Sequence, residues 1–315
     1  MFNHKNASVL KTNKKQAAIF FFLKLILFVA VGYVLYTQLA GVEPEKWKSF
    51  EILRPYSLVL AIVLVFPNIW MVYKKWKITL KLLELDEDRK RNVHSFFAGL
   101  VTGMLTPNMV GNFIGRLYYF PSQHRGTITF LTLVSNYAQL LSTVFFGMIA
   151  IVVAEEVYGL GKSWQLISAF AVAGFLAFWA YFFVDIMLKW FKRSRFLAIS
   201  RSILKENPSY RWKMIGWSAF RFLVFTTQFA LVLHAFGEEL SVELIIAIWQ
   251  VYLITIMVPS LFLGKLGVKE AVSVAILGGL GMNEFSILFA SLIIWFVNSM
   301  SPALLGLVIC DRPKK

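Results

Sequence analysis

The chain is short of the groups that most catalytic and metal chemistry needs. Its single cysteine, Cys310, excludes an internal disulfide framework and any cysteine-built metal site. Its four histidines, His4, His94, His124 and His234, are scattered with no i, i+4 pair and no H-E-x-x-H element, so neither a metal nor a cofactor is expected. There is no glycine-rich phosphate loop, no serine–histidine pairing and no acidic cluster that would hold Mg²⁺. Acid–base chemistry would rest on Glu270 alone, and the expectation is a protein that is not an enzyme. Carboxylates are scarce too: 17 Asp and Glu stand against 32 Lys and Arg, for a formal net charge of +15. Charged residues are only 16% of the 315, hydrophobic ones 58%, and mean hydropathy is +0.66, which excludes an ordinary soluble domain and indicates an all-α polytopic membrane protein.

Apolar stretches long enough to cross about 30 Å of hydrocarbon occur at 18–40, 55–73, 127–154, 164–188, 214–236 and 285–309. The first follows Lys5, Lys11, Lys14 and Lys15 and reads as a retained signal anchor rather than a cleaved signal peptide. Basic residues gather at 74–92 and 189–213, and acidic ones at 41–54, 155–163 and 237–242. By the positive-inside rule the first two segments are cytoplasmic and the others exterior. This gives a basic cytoplasmic N-terminus over 1–17, one membrane domain over 18–309, and a cytoplasmic tail over 310–315.

Two further apolar stretches, 93–120 and 243–280, are interrupted near their middles by proline and glycine. Each lies between loops whose sidedness already uses up the one crossing available, so each is expected to return to its own side as a re-entrant hairpin. The expected architecture is therefore about six full spans plus two opposed hairpins. Residues 55–154 and 214–309 form half-repeats of opposite orientation. Inverted repeats with broken helices near the membrane midplane are a recurring plan of secondary transporters, with the substrate at the breaks, and the topology points to translocation.

The first break reads Thr106-Pro107-Asn108-Met109-Val110-Gly111-Asn112-Phe113-Ile114-Gly115-Arg116. Pro107 breaks the helix, Asn108 is a good N-cap, and the returning helix start would offer free N–H groups to an anion, with Arg116 available to pair with it. Two other readings stay open: Gly99, Gly103, Gly111 and Gly115 recur in multiples of four, as in close helix packing, and Arg116 could be an interfacial snorkeller. The second break has Pro259, Gly264, Lys265, Gly267, Lys269 and Glu270. Ionisable groups at that depth are expensive and point to function, although a purely structural pair is also open. The favoured partner of Glu270 is Arg116, across the opposed tips, as a gate or headgroup cradle. The expected substrate-binding set is thus Asn108, Gly111, Asn112, Arg116, Gly264, Lys265, Gly267, Lys269 and Glu270, with Pro107 and Pro259 as the structural breaks.

Asn136, Gln139, Arg221, Gln228, Asn298 and Ser299 lie within expected spans, where interhelical hydrogen bonding accounts for most such residues. The cations flank spans, so no nucleic-acid partner is expected. The stretch Lys189 to Lys205 interleaves cations with Trp190, Phe191, Phe196, Ile199 and Ile203, and either lies along the inner surface as an amphipathic helix or forms a plain basic loop.

On Pro107, Gly111 and Arg116, and on Pro259, Gly264, Gly267, Lys269 and Glu270, the chain resembles the lysylphosphatidylglycerol synthase transmembrane, or flippase-like, family over nearly its whole length. Asn112 stands where that family usually has an acid, Arg116 lies one place late, and Lys269 replaces an arginine, without its planar fork. The resemblance implies translocation of an anionic lipid or polyprenyl-linked headgroup across a bacterial cytoplasmic membrane, with membrane lipids as partners. The alternatives are an accessory subunit of a glycolipid or envelope-lipid biosynthetic enzyme, and an ion-coupled small-solute transporter.

Overall fold

The computed structural model describes residues 51–104, 106, 111–158, 164–187, 195–258 and 267–310, and every regular element among them is a helix. The expected first span 18–40 and the break residues Pro107, Asn108, Pro259, Gly264 and Lys265 lie outside the described residues.

Pro55 opens α1 (Pro55–Val63), and α2 (Val65–Leu82) continues it after a step at Leu64. Pro67 explains the step: it has no N–H for the Val63 carbonyl, and its ring crowds that turn. The first hairpin comprises α3 (Arg89–Met104) and α4 (Asn112–Leu117). Then come α5 (Ser122–Tyr158), α6 (Trp164–Phe182), α7 (Val184–Met187), α8 (Arg195–Glu206) and α9 (Ser209–Ala235). Gly237, at φ 107°, takes the left-handed turn that stops α9. The second hairpin comprises α10 (Val242–Met257), started by the Ser241 hydroxyl accepting from the Leu244 N–H, and α11 (Val268–Leu277). The last span runs through α12 (Glu284–Trp295), a π-helical turn Phe296–Met300 and α13 (Ser301–Cys310). Pro302 lacks the N–H that the Asn298 carbonyl would use, which accounts for the widened turn before it.

Among the described residues four helices are long and apolar enough to cross a membrane: Pro55–Leu82, Ser122–Ala154, Ser209–Ala235 and Glu284–Cys310. Large apolar side chains such as Phe66, Trp70, Phe145 and Phe220 face outward from them, as spans in lipid require. The first of these spans exceeds its expectation. Residues 74–82, assigned from their lysines to a cytoplasmic loop, continue α2 for two more turns and bury Lys75 and Trp76. The lysines on the other faces, Lys77 and Lys81, carry the surface charge that suggested a loop. The segment Lys189 to Lys205 does contain an amphipathic helix, α8, whose Phe196 packs on Gly126 at the start of α5.

Four antiparallel pairings organise the core. The α1/α2 span runs against α9: the Arg54 N–H donates to the Ala235 carbonyl at one end, and Thr79 meets Tyr210 at the other. Within the first hairpin, Ala98 and Thr102 of α3 meet Gly115 and Gly111 of α4. The remaining two pairings are reciprocal. The long arm of the first hairpin, α3, lies along α13, with Gly306 against Phe97 and the Cys310 thiol on the His94 carbonyl. The long arm of the second, α10, lies along α5, with Gly147 against Leu253 and Gln250 donating to the Ala150 carbonyl. Phe229, Val232, Ile248, Val251, Leu277, Ile287 and Ile294 fill the core between α9, α10, α11 and α12.

Candidate functional site

The first hairpin is sealed by glycine and threonine. A Cβ on Gly99 would meet the Arg116 side chain and the Asn112 carbonyl at 2.7 Å, and one on Gly111 or Gly115 would run into the backbone of α3. The four-residue glycine spacing thus serves helix contact, one of the two readings open from sequence. Thr106 Oγ1 accepts from the Gly111 N–H, and Thr102 Oγ1 donates to the Gly111 carbonyl at 2.6 Å and accepts from the Gly115 N–H at 3.1 Å. The Gly111 N–H is therefore already taken, and the described α4 starts at Asn112 and has only six residues. The helix start expected at Asn108 lies outside the described residues.

Arg116, by contrast, is buried, at 5% exposure. Its guanidinium carbon lies 4.5 Å from the centre of the Trp76 ring and 5.9 Å from that of Phe96, and among the described residues neither its Nε nor Asn112 Oδ1 has a hydrogen-bond partner. Burial excludes the snorkelling alternative. Trp76 is itself held in place, its indole N–H donating to Ser95 Oγ at 3.1 Å and to the Asn92 carbonyl at 3.3 Å.

In the second hairpin the start of α11 also has an occupant. Gly267, at φ 86°, donates its N–H to Glu270 Oε2 at 2.6 Å, and Ser291 Oγ donates to Glu270 Oε1 at 3.0 Å. Glu270 is 2% exposed and supplies the negative charge that the positive helix end favours. Lys269 lies over the rings of Phe229, at 4.8 Å, and Tyr252, at 5.6 Å. The expected Arg116–Glu270 pair is not formed: Arg116 lies on Trp76 and Phe96, and Glu270 on Gly267 and Ser291. The structure brings Gly111, Asn112 and Arg116 together, and Gly267, Lys269 and Glu270 together. Among the described residues no hydrogen bond joins the two sets.

A chain of polar side chains fills the space between the sets. Gln228 donates to the Ala61 carbonyl and accepts from Asn298; Asn298 accepts from Asn68; and Asn68 Oδ1 accepts from Arg221 Nε at 2.8 Å. Arg221 donates onward to Gln139 at 3.2 Å, and Gln139 to the Ser218 carbonyl at 3.3 Å. Lys75 Nζ closes the series, donating to Ser218 Oγ at 2.6 Å and to the Ser135 carbonyl at 3.0 Å. From Ala61 to Lys75 these groups follow about 21 Å of the α1/α2 span at about 1.5 Å per residue, about two thirds of the hydrocarbon thickness. Gln139, Arg221, Gln228 and Asn298 act here as interhelical links, as such residues usually do, whereas Asn136 is exposed and takes no part.

Lys75 and Asn68 escaped sequence reasoning, Lys75 because its helix was cut at residue 73. The signal was nevertheless there. Ala61, Asn68 and Lys75 recur every seven residues, and so do Gln228 and Arg221 on the partner span, which marks one polar face of each helix.

Neither curated proteins nor solved structures yield a match to the chain. The family model described as the lysylphosphatidylglycerol synthase TM region matches residues 17–306, which takes in both hairpins, the first three spans and all but the last four residues of the fourth. The chain is thus a multi-pass membrane protein that belongs to the lysylphosphatidylglycerol synthase transmembrane-region family.

Proposed function

We propose that the protein translocates an anionic lipid or polyprenyl-linked headgroup across a bacterial cytoplasmic membrane, with its N- and C-termini in the cytoplasm, and that it does so without catalysis. The arrangement we favour has about six full spans and two re-entrant hairpins in an inverted repeat. The observation that carries it is the reciprocal packing of the hairpins. The long arm of each lies antiparallel to the last span of the other half, α3 on α13 and α10 on α5. An in-plane two-fold would produce this exchange. The antiparallel crossing of α2 and α9, equivalent spans in that scheme, agrees with it.

Cations that are buried or half-buried give the path its sign. Arg116 is set at the short arm of one hairpin and Lys269 at that of the other, and Arg221 lies on the span between them. An anionic headgroup drawn between the halves passes from one cation to the next while its acyl or prenyl chains stay in lipid. At the second hairpin it competes with Glu270 for the start of α11, so release of the headgroup and return of Glu270 to Gly267 are one exchange. Membrane lipids are the partners of this reading.

The test is lipid scrambling in liposomes that carry labelled anionic or neutral lipid, with bleaching by a membrane-impermeant reductant. Wild type is expected to accelerate bleaching of anionic lipid, and Arg116→Ala and Glu270→Gln to lose the acceleration. Wild type indistinguishable from empty liposomes for every lipid, polyprenyl phosphates included, would refute passive translocation.

A further inference from the structure

Resting on that reading, the cation cluster specifies the anion further. We infer that Lys75, Arg116 and Arg221, between α2, α4 and α9, form a binding site for a phosphate group with two or more negative charges, a phosphomonoester or a diphosphate, in preference to a singly charged phosphodiester.

The cluster lacks a counter-ion among the described residues. Lys75 is 6% exposed and Arg116 5%, and Arg221 is half-buried. Both guanidiniums keep their charge throughout the physiological range. Among the described residues no carboxylate pairs with any of the three: Lys75 and Arg221 donate only to neutral oxygens, those of Ser135, Ser218, Asn68 and Gln139, and Arg116 Nε donates to nothing. The one buried carboxylate among them, Glu270, is already held by Gly267 and Ser291 beside Lys269. Arg221 is linked to Lys75 through Gln139 and Ser218, and Arg116 lies over the ring of Trp76, the residue next to Lys75. Like charges in a site of low dielectric, with no counter-ion, are expensive. An arrangement that nevertheless holds them together is completed by an anion from outside.

The charge count then selects the anion. A phosphodiester brings one negative charge and leaves at least one guanidinium uncompensated. A phosphomonoester carries about 1.5 to 2 at neutral pH, and a diphosphate more, so either balances both guanidiniums and can draw on the Lys75 ammonium as well. The framework is built in advance: Trp76 supports Arg116 from below, and Gln139 with Ser218 ties Arg221 to Lys75. Lys75 lies seven residues before the end of α2 at Leu82, about 10 Å along the helix. The site therefore belongs to the half of the span that leads to the basic side.

Binding to the full-length protein in nanodiscs of neutral phosphatidylcholine tests this, with radiolabelled farnesyl phosphate as the probe. Farnesyl diphosphate is expected to displace the probe at equal or lower concentration, and phosphatidylglycerol only at about tenfold higher concentration or more. Lys75→Met and Arg221→Gln should each weaken binding about tenfold, while Lys75→Arg keeps it. Thermal stabilisation of wild type, greater with farnesyl diphosphate than with phosphatidylglycerol, gives the same answer without variants and so covers any that do not fold. Equal competition by phosphatidylglycerol, or unchanged binding in folded Lys75→Met and Arg221→Gln, would overturn the inference. Free pyrophosphate displacing the probe as well as farnesyl diphosphate does would support the cluster and make a soluble anion its ligand. Selective binding without scrambling would refute translocation and leave the site standing, so the two failures are distinguishable.

Discussion

Alanine in place of glycine should have opposite effects at two positions, and the sign at each follows from the space around it. At Gly115 a Cβ would lie 2.5 Å from Thr102 Oγ1 and closer still to the carbonyl of Ala98. Thr102 Oγ1 itself lies 3.0 Å from that carbonyl, so neither neighbour can give way alone. Overpacking of this kind costs about 1–3 kcal/mol. Moving α4 away from α3 also stretches the Thr102 bonds to Gly111 and Gly115, each contributing about 0.5–1.5 kcal/mol. The better helix propensity of alanine returns about 1 kcal/mol, and the net expectation for Gly115→Ala is a loss of about 1–5 kcal/mol. At Gly216, exposed on α9, a Cβ would meet nothing within 4 Å, so Gly216→Ala should gain the propensity alone, about 1 kcal/mol. Thermal unfolding of the purified protein in detergent, followed by tryptophan fluorescence, compares the two directly. A Gly115→Ala variant that melts at or above wild type would show that α3 and α4 do not make this contact, and the sealed hairpin would have to be abandoned.

Three further expectations use other parts of the molecule. Asn68→Ala and Asn298→Ala should each destabilise by about 1–3 kcal/mol, and a double-mutant cycle should give a coupling of about 0.6–1.7 kcal/mol; strict additivity would mean that their hydrogen bond is not made in the membrane. Glu270→Ala should lower stability by about 1 kcal/mol through loss of the bond from Gly267, whereas Glu270→Gln keeps an acceptor there and should melt close to wild type; a Gln variant as unstable as the Ala variant would contradict the capping geometry. In a Cys310→Ser background, Glu87→Cys should react with a membrane-impermeant maleimide only from the cytoplasmic side and Glu239→Cys only from the exterior, and labelling of both from one side would invert or abolish the proposed topology.

Much of this was legible in the sequence because the bilayer imposes long apolar runs. The spans at 127–154, 214–236 and 285–309 reappear in α5, α9 and α12 to α13 with ends shifted by a few residues. The hairpins could be located because proline and glycine interrupt an apolar run in only a few ways. Charge was the less reliable guide at the helix ends. Lys74, Lys75, Lys77 and Lys81 look alike on paper, yet Lys75 points into the core while its neighbours do not. Only a helix phase carried past residue 73 tells them apart.

Pairing was the least legible feature. The Arg116–Glu270 contact was favoured because opposite charges at opposed tips should attract, but it assumed that each group lacked a nearer partner. Glu270 has one three residues back along its own chain, at the Gly267 N–H, and a local bond fixes little entropy beyond what the helix start already fixes. Arg116 has the Trp76 ring, which the continuation of α2 brings beneath it. With the acid committed to its own helix, Arg116 is left on the Trp76 ring beside Lys75, and among the described residues no acid pairs with either. The local preference that defeated the predicted pair is thus the same one that leaves these two cations without an acid partner there.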